Sequence, residues 1–99
     1  MKTDIKTSIE SFATQGLFYI RFDSRHPEVD IPEYLKEEYC VLKFSRLFNT
    51  PLQIDKTTIS QNLTFNGIDY DCIIPYESII NIWNNDVILN KNQLRNKTH

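Results

Sequence analysis

The stretch Ile59-Ser60-Gln61-Asn62-Leu63-Thr64-Phe65-Asn66-Gly67-Ile68-Asp69-Tyr70-Asp71-Cys72-Ile73-Ile74-Pro75 decides the fold. Ile59, Leu63 and Phe65 fall on one side of an extended chain, with Ser60, Asn62 and Thr64 on the other. Residues 59–65 therefore read as a half-buried strand. Asn66-Gly67 is a two-residue hairpin signal, because both positions tolerate the positive φ that a type I′ turn requires. Residues 68–74 return antiparallel to the first strand. Pro75 breaks the ladder, since it has no N–H to donate.

Downstream, Tyr76-Glu77-Ser78 makes a tight turn and residues 79–83 resume as a strand. Tyr76, Ile79, Ile80 and Trp83 would also share one face of a helix, but the density of β-branched residues favours the strand. From Asn84 onward the chain is rich in Asn and Lys and loses its pattern. Residues 1–83 are expected to form the folded domain and residues 84–99 a flexible polar tail.

Upstream, residues 52–54 read as a short strand, 48–51 as a turn and 40–47 as a longer strand. Pro32 is placed to open a short helix over residues 33–38, because proline suits a first helical position. The segment His26-Pro27-Glu28-Val29-Asp30-Ile31-Pro32 cannot be regular structure with two prolines so close. Residues 17–23 alternate, with Phe18, Ile20 and Phe22 on one face and Tyr19, Arg21 and Asp23 on the other. Residues 4–14 have helical spacing: Asp4 is a candidate N-cap, Ile5, Ile9 and Phe12 share a face, and Gly16 lies just past the end. The order is a helix followed by about five antiparallel strands, an α+β class: an N-terminal helix with a small, strongly bent antiparallel sheet or barrel.

Composition narrows the function. Ninety-nine residues make a single domain with one modest core. The formal net charge of −2, with the basic residues spread along the chain, argues against a general nucleic-acid binder. No run approaches membrane-spanning length, and the N-terminus is polar, so a cytoplasmic location is expected. Cys40 and Cys72 have no CxxC spacing; one disulfide is formally open to them, but two small buried thiols in a reducing compartment are the commoner arrangement.

Catalytic chemistry needs a base, a nucleophile or a metal cage. Only His26 and His99 are available as histidines, and neither sits within a ligand cluster of metal-binding spacing. Glu33, Glu37 and Glu38 read as a solvated helix side, and Asp69 and Asp71 as the wet face of a strand. With Gly16 and Gly67 as the only glycines, a phosphate-binding loop is ruled out. No enzyme, metal site or cofactor is expected. A small bent sheet with apolar residues and few charges can instead offer a groove to an extended peptide.

Two stretches go further than pattern. Phe18-Tyr19-Ile20-Arg21-Phe22-Asp23-Ser24-Arg25-His26-Pro27-Glu28-Val29-Asp30-Ile31-Pro32-Glu33-Tyr34-Leu35 resembles the signature of the SspB family of protease adaptors, a strand running into a Pro-Gly-Val-x-Val/Ile-Pro loop. Glu28 stands at the glycine of that loop. Asn62-Leu63-Thr64-Phe65-Asn66-Gly67-Ile68, followed by Ile74-Pro75-Tyr76 and Ile79-Ile80, is similar to the same family's Phe-x-Gly-Val/Ile hairpin and the Val/Ile-Pro turn after it. The resemblance runs over residues 17–83.

That resemblance implies an Sm-like (SspB-like) fold and a homodimer. It implies an adaptor that binds the ssrA tag of proteins from stalled ribosomes and tethers them to the unfoldase ClpX, for degradation by ClpXP. By position it assigns Tyr34, Leu35, Leu63 and Phe65 to the tag groove, and Ile5, Ile9 and Phe12 to the dimer interface. Family members dock on ClpX through a C-terminal basic-hydrophobic peptide, of which Leu94-Arg95 is a short counterpart here. The alternative from another class is an Sm-like RNA-binding protein, which requires a basic or aromatic stacking face.

Overall fold

The structure is a computed structural model and describes residues 3–95. Thr3–Asp4 (β1) leads directly into the helix Ile5–Gln15 (α1). The Asp4 carboxylate caps it, accepting from the Thr7 backbone N–H at 3.1 Å and from the Thr7 hydroxyl at 3.0 Å. At the other end Gly16 takes φ 131°, and its N–H donates to the Phe12 carbonyl at 3.2 Å. The stripe Ile5, Ile9 and Phe12 is buried, together with Ser8 and Ala13.

Seven strands follow: Phe18–Asp23 (β2), Tyr39–Phe44 (β3), Gln53–Ile54 (β4), Thr58–Phe65 (β5), Ile68–Pro75 (β6), Ile79–Trp83 (β7) and Ile88–Asn90 (β8). An eighth, Leu94–Arg95 (β9), lies parallel to β1. Two antiparallel sheets hold the rest, in the orders β3-β2-β7-β8 and β4-β5-β6, and no closed barrel forms among the described residues. The alternation of β2 is fully expressed: Phe18, Ile20 and Phe22 have no exposed surface. Phe18 stacks between Phe12 of the helix at 6.1 Å and Phe44 of β3 at 5.9 Å. Each side chain buried to this degree stabilises the fold by roughly 1.5–3 kcal/mol. One residue, Ile80, is extra in β7 where Arg21 and Phe22 pair with Asn81 and Ile79, the signature of a β-bulge.

The hairpin forms where the sequence requires it. Asn66 (φ 53°) and Gly67 (φ 80°) make the turn, and β5 and β6 pair from Thr58↔Pro75 to Phe65↔Ile68. A single 3-10 turn, Tyr76–Ser78, then carries the chain from one sheet to the other. The double-proline loop docks on β6: Asp30 and Ile73 exchange two backbone hydrogen bonds of 2.9 Å. This places Val29 and Ile31 in the core.

Three expectations need correction. Residues 33–38 form only a 3-10 turn, Glu33–Leu35, closed by the Leu35 and Lys36 amides. β3 ends at Phe44 and does not run to Leu47; the Ser45 hydroxyl accepts from the Leu47 N–H at 3.0 Å, a local turn that competes with the ladder. Beyond residue 83, where a polar tail is expected, the structure continues with ordered elements as far as Arg95. The Asn84 side-chain oxygen accepts from the Asp86 and Val87 amides, both at 2.9 Å, and so builds a turn. Asn90 and Gln93 form a capping box, and Leu94 is buried. These asparagines shape the backbone, and the strands they join are too short to show alternation. Residues 96–99 lie outside the described residues.

Candidate functional site

A groove of about 720 Å³ is lined by residues 41–43, 47–50 and 62–65. It lies between β3, at one edge of the four-stranded sheet, and the distal half of β5. β4 pairs only with Ser60 and Ile59, so beyond Gln61 β5 has β6 on one side and the groove on the other. A two-residue hairpin makes Phe65 and Ile68 its hydrogen-bonded closing pair. Alternation along an antiparallel ladder then turns the backbone N–H and C=O of Asn62 and Thr64 away from β6. The Asn62 carbonyl is met by the Thr50 hydroxyl at 2.7 Å, and the Thr64 groups point into the groove. On the opposite face of the ladder, the Asn62 amide donates to Asp71 and the Thr64 hydroxyl to Asp69, both at 2.7 Å. These bonds account for the two aspartates.

The groove lining is mostly apolar, and it carries one cation, Lys43, and no carboxylate. Val41 is 47% exposed and Leu47 86%, so the groove offers aliphatic surface to solvent. Its shorter wall is the segment between Ser45 and Thr50. Gln61 anchors that segment: its side-chain N–H₂ donates to the Ser45 carbonyl at 2.7 Å and the Thr50 carbonyl at 2.9 Å. Its oxygen accepts from the Ser45 N–H at 3.3 Å. Gln61 is only 3% exposed. Sequence reasoning passed over it, although a signal was available. Residue 61 shares the parity of Ile59, Leu63 and Phe65, and a polar amide on a buried face needs partners.

Of the residues assigned to the groove from sequence, Leu63 and Phe65 line it and are partly buried against the core. Tyr34 and Leu35 do not. They sit in the 3-10 turn after the double-proline loop, with Tyr34 61% exposed and Leu35 packed against the core. Ile5, Ile9 and Phe12 turn onto the chain's own core and keep at most 4% exposure. The outward side of that helix is polar, with Thr7, Glu10, Ser11 and Thr14 exposed. A second subunit meeting α1 would meet that face and not the apolar stripe.

Elsewhere several charged side chains are paired, whereas the buried Ser24 hydroxyl has no partner among the described residues. Arg25 forms a two-pronged pair with Asp23, 2.9 Å at each contact, and approaches Glu38 at 3.6 Å. The hydrogen bonds from Arg25 hold the Asp23 carboxyl down at about 2. His26 accepts from the Glu28 N–H through Nδ1 and faces Glu77 through Nε2 at 3.5 Å. Cys40 and Cys72 are free thiols, both shifted upward by burial, Cys72 to about 12. Among the described residues no three His, Cys, Asp or Glu side chains gather as a metal site, and no helix is long and apolar enough to cross a membrane.

The chain is thus an α+β domain with an open, mostly apolar groove bordered by strand edges. Residues 3–92 match the family SspB, stringent starvation protein B. The chain belongs to that family. No individual curated protein matches it.

Proposed function

We propose that this chain is an adaptor that binds the ssrA tag of proteins from stalled ribosomes and hands them to ClpXP. Membership of the SspB family supports an adaptor role, and the observation that carries the peptide reading is the groove itself. An extended peptide laid along β5 would meet the free N–H and C=O of Thr64 with its backbone and the apolar surface of Leu63, Phe65 and Leu47 with its side chains. Lys43 would favour an acidic residue in the ligand. In this reading Leu63 and Phe65 bind the tag, and Tyr34 and Leu35 contribute from outside the groove. The protein acts as a cytoplasmic homodimer with an Sm-like, strongly bent sheet, it performs no catalysis and it needs no cofactor. Delivery to ClpX would depend on the C-terminal residues.

The test is a polarisation titration of a fluorescent ssrA peptide. Saturation at one peptide per subunit is expected; a flat titration at high protein concentration would remove the tag reading and leave an SspB-family domain of other ligand.

A second reading, RNA binding, draws on one observation. On the outer face of the four-stranded sheet Tyr19 and Trp83 stack at 5.5 Å and 12°, and Arg21 lies 4.9 Å over the Tyr39 ring. Such a face can stack bases. The net charge of −2 opposes it, and strong, salt-sensitive retention of single-stranded RNA would be needed to raise it above the adaptor reading.

A further inference from the structure

We infer that Gln61 is a positioning residue: its amide holds the wall formed by residues 45–50 against β5 and so sets the width of the groove. The inference rests on the peptide-groove reading above and names the device that keeps that groove in shape. The wall is irregular chain, so its backbone groups have no ladder to satisfy them. Ser45 is 2% exposed, which also denies it water. Within the wall the Phe48 N–H reaches the Ser45 carbonyl at 3.3 Å and the Leu47 N–H the Ser45 hydroxyl at 3.0 Å; one side chain from outside supplies the rest. The Ser45 N–H, the Ser45 carbonyl and the Thr50 carbonyl all end on the Gln61 amide, at 3.3, 2.7 and 2.9 Å. Between those two anchors the chain swings outward through Leu47 and Phe48, which form the groove's rim. Ser45 directly follows β3, whereas Gln61 lies at the centre of β5. The same amide therefore ties the two strands that flank the groove.

The requirement is chemical and not just one of size. The position needs two donors and one acceptor together, which a primary amide supplies and no isostere does. Leucine would leave the Ser45 N–H and the Thr50 carbonyl without these partners, and the Ser45 carbonyl with only the Phe48 N–H at 3.3 Å. A glutamate in its charged form would set an oxygen against two carbonyl oxygens. Once protonated it would regain one donor, so a carboxyl here should make the groove sensitive to pH where the natural amide does not.

The experiment compares the full chain with Gln61→Leu, Gln61→Glu and Ile59→Val, using polarisation of the fluorescent ssrA peptide and amide hydrogen exchange in the absence of peptide. Ile59 lies in the same strand but is fully buried away from the groove. Expected for Q61L is a loss of affinity of about tenfold or more, with exchange at Ser45 and Leu47 accelerated by a similar factor and that of β2 unchanged. Q61E should match Q61L near neutral pH and recover affinity as the solution is made mildly acidic, while the natural protein stays level. I59V should lower the thermal midpoint and leave affinity within about twofold. Q61L binding as tightly as the natural protein, or Q61E without a pH trend, would overturn the assignment. If Q61L does not fold, the pH series on Q61E decides alone. If the natural protein ignores the peptide, yet exchange at Ser45 and Leu47 still responds to Q61L, the tag reading fails and the wall assignment stands.

Discussion

The two halves of β5 have the same alternation and opposite fates. Over residues 58–61 the strand is paired with β6 on one side and touches β4 on the other, and Ile59 and Gln61 are buried. Over residues 62–65 only β6 remains, and Leu63 and Phe65 are half-buried. Nothing in the composition of the second half marks it as different; the neighbouring strand simply ends. The first half thus anchors the core, and the second presents backbone and apolar surface to whatever enters the groove. A strand becomes a binding surface where its ladder partner runs out.

The largest effect expected from breaking this comparison lies in the first half. Ile59→Ala removes a fully buried side chain and should destabilise the domain by about 2–5 kcal/mol in urea unfolding, with peptide affinity retained by the folded fraction. At the far end of the hairpin, Gly67→Val places a branched residue at φ 80°, which should cost about 1–2 kcal/mol. Leu63→Gln, in the second half, should abolish peptide binding while urea unfolding shows a loss of no more than about 1–2 kcal/mol, since the side chain is only partly buried. If that variant unfolds instead, Leu63 belongs with Ile59 and the comparison collapses.

The gentlest probe is the thiol opposite the boundary. Cys72 pairs with Gln61, and burial pushes it up to about 12 from the ordinary 9.0. A raised value in the folded state favours the neutral thiol. Its contribution to stability is complete below 9.0 and is lost as pH rises towards about 12. Alkylation at mildly alkaline pH should therefore label the half-buried Cys40 first and reach Cys72 only as the domain opens. Rapid labelling of Cys72 in the folded protein would show that the doubly flanked half of β5 is less secure than its burial implies.

Much of the architecture was legible beforehand. The turn at Asn66-Gly67, the capped helix after Asp4 and the alternation of residues 18–22 each rest on local rules that operate within a few residues. The asparagine-rich end was not legible, because Asn84 and Asn90 act by bonding to nearby backbone and leave no periodic trace. Helical spacing puts Ile5, Ile9 and Phe12 on one apolar face, but it does not decide between a partner subunit and the chain's own core as what that face covers. The structure turns it onto the chain's own core.

The groove divides in the same way. Leu63 and Phe65 were within reach of sequence reasoning because they alternate with polar neighbours and sit in a hairpin that resembles a known family's. That β4 is only two residues long, leaving half of β5 open, depends on the chain before Gln53, since the register would set residues 52 and 51 opposite Gln61 and Asn62. That Gln61 reaches Ser45 and Thr50 depends on residues 16 and 11 positions away in the chain. By itself, the sequence determined the local elements and their apolar faces, since those follow from dihedral preference and side-chain period. Only the tertiary structure decided which strand edge stays free and which polar group is enlisted to hold the groove beside it, because both depend on partners brought together from distant parts of the chain.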